Sequence, residues 1–267
     1  YLSNGMPQRL PPEVAQFDAA MRDVVPIDNR DADDVLQGNL AILGAAKKDA
    51  PIDFLVWGDS HARTTQPALE LICRELGLNG RSATHSATTP LLGFYQPSKF
   101  GLNEEAVAFG QAIFDYVKAH KIPKVFLICR WQSSESGDDS FDQAFIRTVK
   151  AFRDIGVRVY VMMQVPSHQI DVPKKLAYNA LLQQTDEDWR TTTEQHRQLH
   201  AGLYRLAQSL KPEDCVFIDP APAFLQPASN RYVVIDQGES LYSDQHHLTG
   251  RAAKRKLYAV LKPAFLH

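Results

Sequence analysis

The sequence is poor in cysteine: three in 267 residues, Cys73, Cys129 and Cys215, with no C-x-x-C pair. An odd count excludes a fully paired disulfide framework, though not a single disulfide, and apolar neighbours predict buried thiols. Cysteine usage therefore does not reveal the compartment. No apolar run approaches the ~20 residues that span a bilayer, and no charged-then-apolar leader opens the chain. The first residue is Tyr1 rather than Met, which reads as a fragment or a mature form. Charge of one sign is lacking too. Lys+Arg 29 against Asp+Glu 31 gives a formal net charge of -2, so no overall field draws the chain to nucleic acid or an anionic membrane. There is no internal repeat and no low-complexity tract.

What is present is an ordinary globular composition, 44% hydrophobic and 22% charged, sized for one large domain or a domain with an appendage. Residues 1–50 differ from the rest. Pro7, Pro11, Pro12 and Pro26 and an acidic stretch at 31–34 mark an extension packed on a main domain at 51–267, with one helix after Pro11-Pro12 and another over 33–46. From 54 onward, apolar runs alternate with helical spacing. Strands are predicted at 54–57, 81–85, 124–130, 157–165 and 215–218. Between them fall helices, one ending at Gly77, one N-capped by Asn103, one capped by Gly156, and one opened by a Thr191-x-x-Glu194 capping box. A last helix carries Ala253, Leu257, Val260 and Leu261. Five strands separated by helices imply an α/β fold: a three-layer α/β/α sandwich around a five-stranded parallel sheet. Sites in such sheets form at the carboxyl ends of strands, where Gly58-Asp59-Ser60 lies.

A serine hydroxyl is a weak nucleophile until a base, usually a histidine oriented by a carboxylate, removes its proton. The segment "LYSDQHHLTGRAA" supplies Asp244 and His247, three residues apart before the final helix, and that spacing fits one tight turn. His246 would then point elsewhere. A Gly-Asp-Ser turn alone, or an Asp-x-x-His alone, is more often a turn or a cap; their joint placement at one sheet edge carries the reading. A nucleophile elbow needs several strands before the serine, and the trypsin-like order needs His and Asp upstream; neither fits.

"FLVWGDSHA", "LICRW" and "LYSDQHHL" together resemble the SGNH/GDSL hydrolase superfamily, specifically the SGNH domain fused behind the membrane acyltransferase-3 domain of bacterial surface-polysaccharide O-acetyltransferases. The resemblance covers about residues 50–267. It implies a flavodoxin-like fold, Ser60 as nucleophile, His247 as base, Asp244 as its orienting carboxylate, and no metal or cofactor. It also implies an acetyl donor delivered by an N-terminal membrane domain, a polysaccharide acceptor such as lipopolysaccharide O-antigen, and a periplasmic location on an inner-membrane protein. Two departures stand out. The superfamily's Gly-x-Asn-Asp after the third strand is replaced by Arg130-Trp131-Gln132-Ser133, and the donor glycine after the second strand is missing, Gly93 lying well downstream. Candidate oxyanion or substrate contacts are therefore the Ser60 N–H, an N–H in 86–89 including Thr88, and Arg130, Trp131 and Gln132.

Rival readings are a free-standing acetyl esterase, a metallophosphoesterase using Asp59-x-His61, and a noncatalytic carbohydrate-binding domain in which Trp131 is a stacking platform. The second lacks its downstream Gly-Asp-x-x-Asp and Gly-Asn-His. His61 and His85 read as local structural histidines, Asp219 as a turn former before proline, and 134–140 as a loop shaping acceptor access.

Overall fold

The computed structural model describes residues 11–44, 50–131, 139–226 and 228–266. In chain order the main elements are α1 (Pro12–Ala20), α2 (Ala32–Leu36), β1 (Ala41–Gly44), β2 (Phe54–Gly58), α3 (Ser60–Leu76), β3 (Asn79–Thr84), α4 (Glu105–Ala119) and β4 (Lys124–Ile128). They continue with α5 (Asp139–Asp154), β5 (Arg158–Met162), α6 (Val172–Leu181), α7 (Thr193–Leu199), α8 (Ala201–Ser209), β6 (Val216–Ile218) and α9 (Gly250–Leu261).

The strands alternate their side chains between two cores. Phe54 and Val56 of β2, Phe126 and Ile128 of β4, and Tyr160 and Met162 of β5 face a cluster that includes Leu69 and Ile72 of α3 and Leu257 and Leu261 of α9. Leu55 and Trp57, Val125 and Leu127, and Val159 and Val161 face the other, with Phe109 and Ile113 of α4, Phe145 and Phe152 of α5, and Leu203 of α8. A sheet covered on both faces needs apolar residues at every position, which is why these runs are continuous rather than alternating.

The sheet order is β1-β3-β2-β4-β5-β6. β2 to β6 pair in parallel. Numbered among themselves, these five run 2-1-3-4-5, the flavodoxin-like order. The connection reverses direction at β2, so the end of β2 sits at the switch point.

One correction concerns the helix expected over 33–46. The helix stops at Leu36, Gly38 takes a left-handed conformation (φ 73°), and 41–44 forms β1, antiparallel to β3. The sheet thus has a sixth strand, contributed by the extension, and β1 covers the β3 edge that would otherwise be open to pairing. The extension also runs past the carboxyl end of β3: the Arg30 N–H donates to Thr84 O at 2.8 Å and Thr84 Oγ1 to Asp28 O at 3.1 Å. Smaller differences are registers. The capping box is Thr192 with Gln195, and Asn103 precedes α4 at φ 52°, its Oδ1 accepting the Ser98 N–H. All three cysteines are buried, with burial pushing the Cys73 and Cys215 thiols up to about 12.

Candidate active site

Gly58 ends β2 because the neighbouring strand leaves no room for a side chain: a Cβ there would lie 1.7 Å from Ile128 O. Asp59 then caps α3. Its Oδ1 accepts the His61 N–H at 2.7 Å and its Oδ2 accepts the Arg130 N–H at 3.0 Å, so one carboxylate joins the exits of β2 and β4. Burial raises the Asp59 carboxyl to about 6, against the pull of those two N–H bonds and of nearby His247. Ser60 follows as the first residue of α3, where a backbone N–H has no intrahelical acceptor.

The loop before α9 brings Asp244 and His247 to that serine. Ser60 Oγ and His247 Nε2 are 2.8 Å apart, and His247 Nδ1 and Asp244 Oδ2 are 2.6 Å apart. Asp244 Oδ1 accepts the N–H groups of His246 and His247, each at 2.8 Å. Burial alone would raise the Asp244 carboxyl, but the imidazole bond and charge and the two backbone donors hold it well below the usual carboxylate range. With Nδ1–H donating to Asp244, the Nε2 lone pair is left to receive the Ser60 proton. The segment after β5 braces the loop from behind: the His168 N–H donates to Gln245 O at 2.8 Å and the Val172 N–H to Asp244 O at 3.3 Å.

His246 does not point away from the site. Its ring meets that of His61 edge to edge and nearly coplanar, at 13°, and His61 Nε2 and His246 Nδ1 share a hydrogen bond of 3.1 Å. Burial and the neighbouring His247 charge lower both, His246 to about 3 and His61 well below its ordinary value. His61, expected to make only a helix-start contact, thus backs the catalytic loop. The ring nitrogens of His61, His246 and His247 lie within 4.8 Å of one another. They are engaged with each other, with Ser60 and with Asp244, and both Asp59 oxygens hold backbone N–H groups, so Asp59-x-His61 does not form a metallophosphoesterase ligand pair.

The other expected contacts divide. Trp131 is a correction: it is fully buried against Phe141 and Phe145, and its indole N–H donates to Met162 O at 2.7 Å, so the side chain is core and not a substrate platform. Thr88 is a second correction. Its N–H donates to His85 O, its hydroxyl to Ser86 O, and that hydroxyl accepts the Leu102 N–H, which commits it to the loop after β3. Gln132 and 134–138 lie outside the described residues. The Arg130 N–H is taken by Asp59, which leaves its side chain as the candidate contact. Asp219 accepts from Tyr204 Oη and the Ala221 N–H, and His85 Nδ1 lies 2.9 Å from Arg30 O, both structural roles. Asn29 carried no motif in the sequence. Its Oδ1 lies within hydrogen-bond reach of Arg63 Nη1 and of the Ser86 N–H and hydroxyl, pinning the extension beside the first turn of α3.

A flavodoxin-like sheet with a hydroxyl, imidazole and carboxylate in line at its switch point defines an acyl-transfer or ester-hydrolysing enzyme of the SGNH class. The chain belongs to the family of SGNH domains fused to AT3 domains, whose model matches residues 28–259. Among solved structures, the periplasmic domain of the lipopolysaccharide acetyltransferase of Salmonella ser. Paratyphi A aligns with a TM-score of 0.66 at 15% identity, covering 88% of this chain and 94% of that one. A putative acylhydrolase from Bacteroides fragilis aligns at 0.49 with 12% identity, covering 82% and 88%. A GDSL-like lipase from Bacteroides thetaiotaomicron aligns at 0.48 with 11% identity, covering 80% and 87%. At these identities the likeness is one of fold. No curated protein sequence matches the chain.

Proposed function

We propose that the chain is the serine-dependent catalytic domain of an O-acetyltransferase that modifies a bacterial surface polysaccharide such as lipopolysaccharide O-antigen. The observation that carries this is the Asp244–His247–Ser60 relay, at 2.6 and 2.8 Å, in a chain of the AT3-fused family. His247 Nε2 takes the Ser60 proton as Oγ attacks the acyl carbonyl carbon. The tetrahedral intermediate collapses to an acetyl-serine ester, and the leaving group departs with the proton from His247. A sugar hydroxyl then gives its proton to the same nitrogen, attacks the ester carbonyl and regenerates Ser60 Oγ–H. The Ser60 N–H is one donor to the oxyanion, and a single such donor is worth about 3 kcal/mol.

Family membership favours transfer over free-standing hydrolysis, because an AT3 partner domain in the membrane would deliver the acetyl group with no further cofactor. The domain would then work on the periplasmic side of the inner membrane; among the described residues no helix is long and apolar enough to cross it. The test uses p-nitrophenyl acetate as donor and mass spectrometry of the trapped protein. The expected result is one acetyl group on Ser60 and loss of at least about 10³-fold in p-nitrophenol release in Ser60→Ala. Retention of the rate in that variant would refute a covalent serine route.

A further inference from the structure

The loop that presents His247 to the serine also forms one wall of a second cavity. An open cleft of about 730 Å³ is bounded by His246 on this loop, Arg130 after β4, His168 after β5, Trp189, and the exposed side of α7. Ser60 and His247 are not in its lining, so it adjoins the reaction site without being part of it.

Its polar valences are particular. His168 is only 5% exposed, and its Nδ1 accepts the Thr191 N–H at 3.2 Å, which places the ring proton on Nε2. That Nε2–H has no acceptor among the described residues. A buried donor left unpaired is unfavourable by more than a typical hydrogen bond contributes, so the position calls for a partner from outside the chain. Two glutamines on α7 offer the complementary pair. Gln195 Oε1 accepts the Thr192 N–H, which leaves its NH2 to donate, and Gln198 Nε2 donates to Glu194 Oε1, which leaves its carbonyl oxygen to accept. Trp189 is fixed by its indole N–H to Asp186 O at 2.9 Å and adds a rigid ring to the same wall.

A lining that both donates and accepts, beside an aromatic ring, matches a molecule whose groups do both: a sugar with its hydroxyls and apolar ring face. An acyl chain would leave the His168 and glutamine groups unsatisfied. A polyanion is disfavoured because the lining holds only two arginines, Arg130 and Arg190, beside Asp188, and Arg190 is already paired with Glu187, so no cationic cluster forms. The volume suits a ligand of one or two sugar rings. We propose that this cleft is the acceptor subsite, holding a saccharide unit of the polysaccharide so that a hydroxyl of an adjoining unit reaches His247. The proposal rests on the function argued above.

The probe is surface polysaccharide from the bacterium that makes the chain, released with mild acid and de-O-acetylated with alkali. Binding is measured with Ser60→Ala protein, so that no turnover intervenes. In that background, Trp189→Ala, Gln198→Ala and His168→Phe are each expected to raise the half-saturating polysaccharide concentration about tenfold. With Ser60 intact, the same three substitutions are expected to lower the ratio of polymer-bound to hydrolysed acetate. His168→Phe removes the N–H while filling the space; if it fails to fold, the two more accessible variants decide. Unchanged binding in Trp189→Ala and Gln198→Ala, or no binding by the parent protein, overturns the subsite. Failure of the serine mechanism shows separately, as an absence of acetyl-Ser60 whatever the binding result.

Discussion

Both oxygens of Asp244 are occupied, and this makes its conservative replacement informative. Oδ1 holds two backbone N–H groups, so in Asp244→Asn the amide oxygen stays with them and the NH2 turns toward His247. Two donors cannot face each other. The ring would shift its proton to Nε2 and lose the lone pair that receives the Ser60 proton, and the expected fall in kcat for p-nitrophenyl acetate is about 10⁴-fold with the fold intact. A fall below tenfold would show that Asp244 does not set the tautomer. The Asp-x-x-His pair was legible in the sequence because three residues of spacing fit one turn. The roles of His61 and His246 were not, since their hydrogen bond joins positions 185 apart and nothing local in "DQHHL" shows which way the second ring turns. Trp131 was misread for a similar reason: whether an indole is platform or core depends on a carbonyl of the adjacent strand, Met162 O.

At the scale of elements, the close parallel pairing of β2 with β4 sets the site. Asp59 accepts the N–H of Arg130, two residues past the end of β4, and this contact requires the strand ends to approach as closely as Gly58 allows. In Gly58→Ala the added methyl would meet Ile128 O and Ala62 Cβ, neither of which has a flexible end to move aside. A loss of about 2–3 kcal/mol in urea denaturation is expected, together with reduced burst amplitude as Ser60 shifts from His247. An unchanged denaturation midpoint would mean that the strand exits yield easily. The strands themselves could be read from composition, as continuous apolar runs fit only a sheet buried on both faces. The run at 41–44 could not, because three apolar residues before a glycine fit the end of a helix or a short strand equally, and only pairing with β3 decides. Cap registers slipped by a residue, as with Thr192, where neighbouring threonines offer the same chemistry.

At the scale of the whole molecule, the buried histidines make folding sensitive to acid. Burial lowers His168 and His196 to about 4, and His200 and His246 to about 3, reinforced by Arg190 at His168, Arg197 at His196, His196 and Arg130 at His200, and His247 and Arg130 at His246. The unfolded chain therefore binds these protons first, and stability falls as pH drops from about 6.5 toward 4. Each group contributes on the order of 3 kcal/mol at pH 4. Asp59 acts in the opposite sense, since a carboxyl raised to about 6 in the fold takes its proton there before the unfolded chain does, and it offsets roughly one histidine. The balance is of the same order as the whole stability of a domain, about 5–15 kcal/mol, so far-UV circular dichroism is expected to show cooperative acid unfolding centred at about pH 4–5. His200 isolates the cause. It is 1% exposed and neither ring nitrogen has a partner among the described residues, so His200→Leu removes a protonation site and leaves no broken hydrogen bond behind. That variant should unfold at lower pH than the parent chain while matching it near pH 7.5, where the histidine is neutral in both states; an unmoved acid midpoint would assign the sensitivity to carboxylates instead.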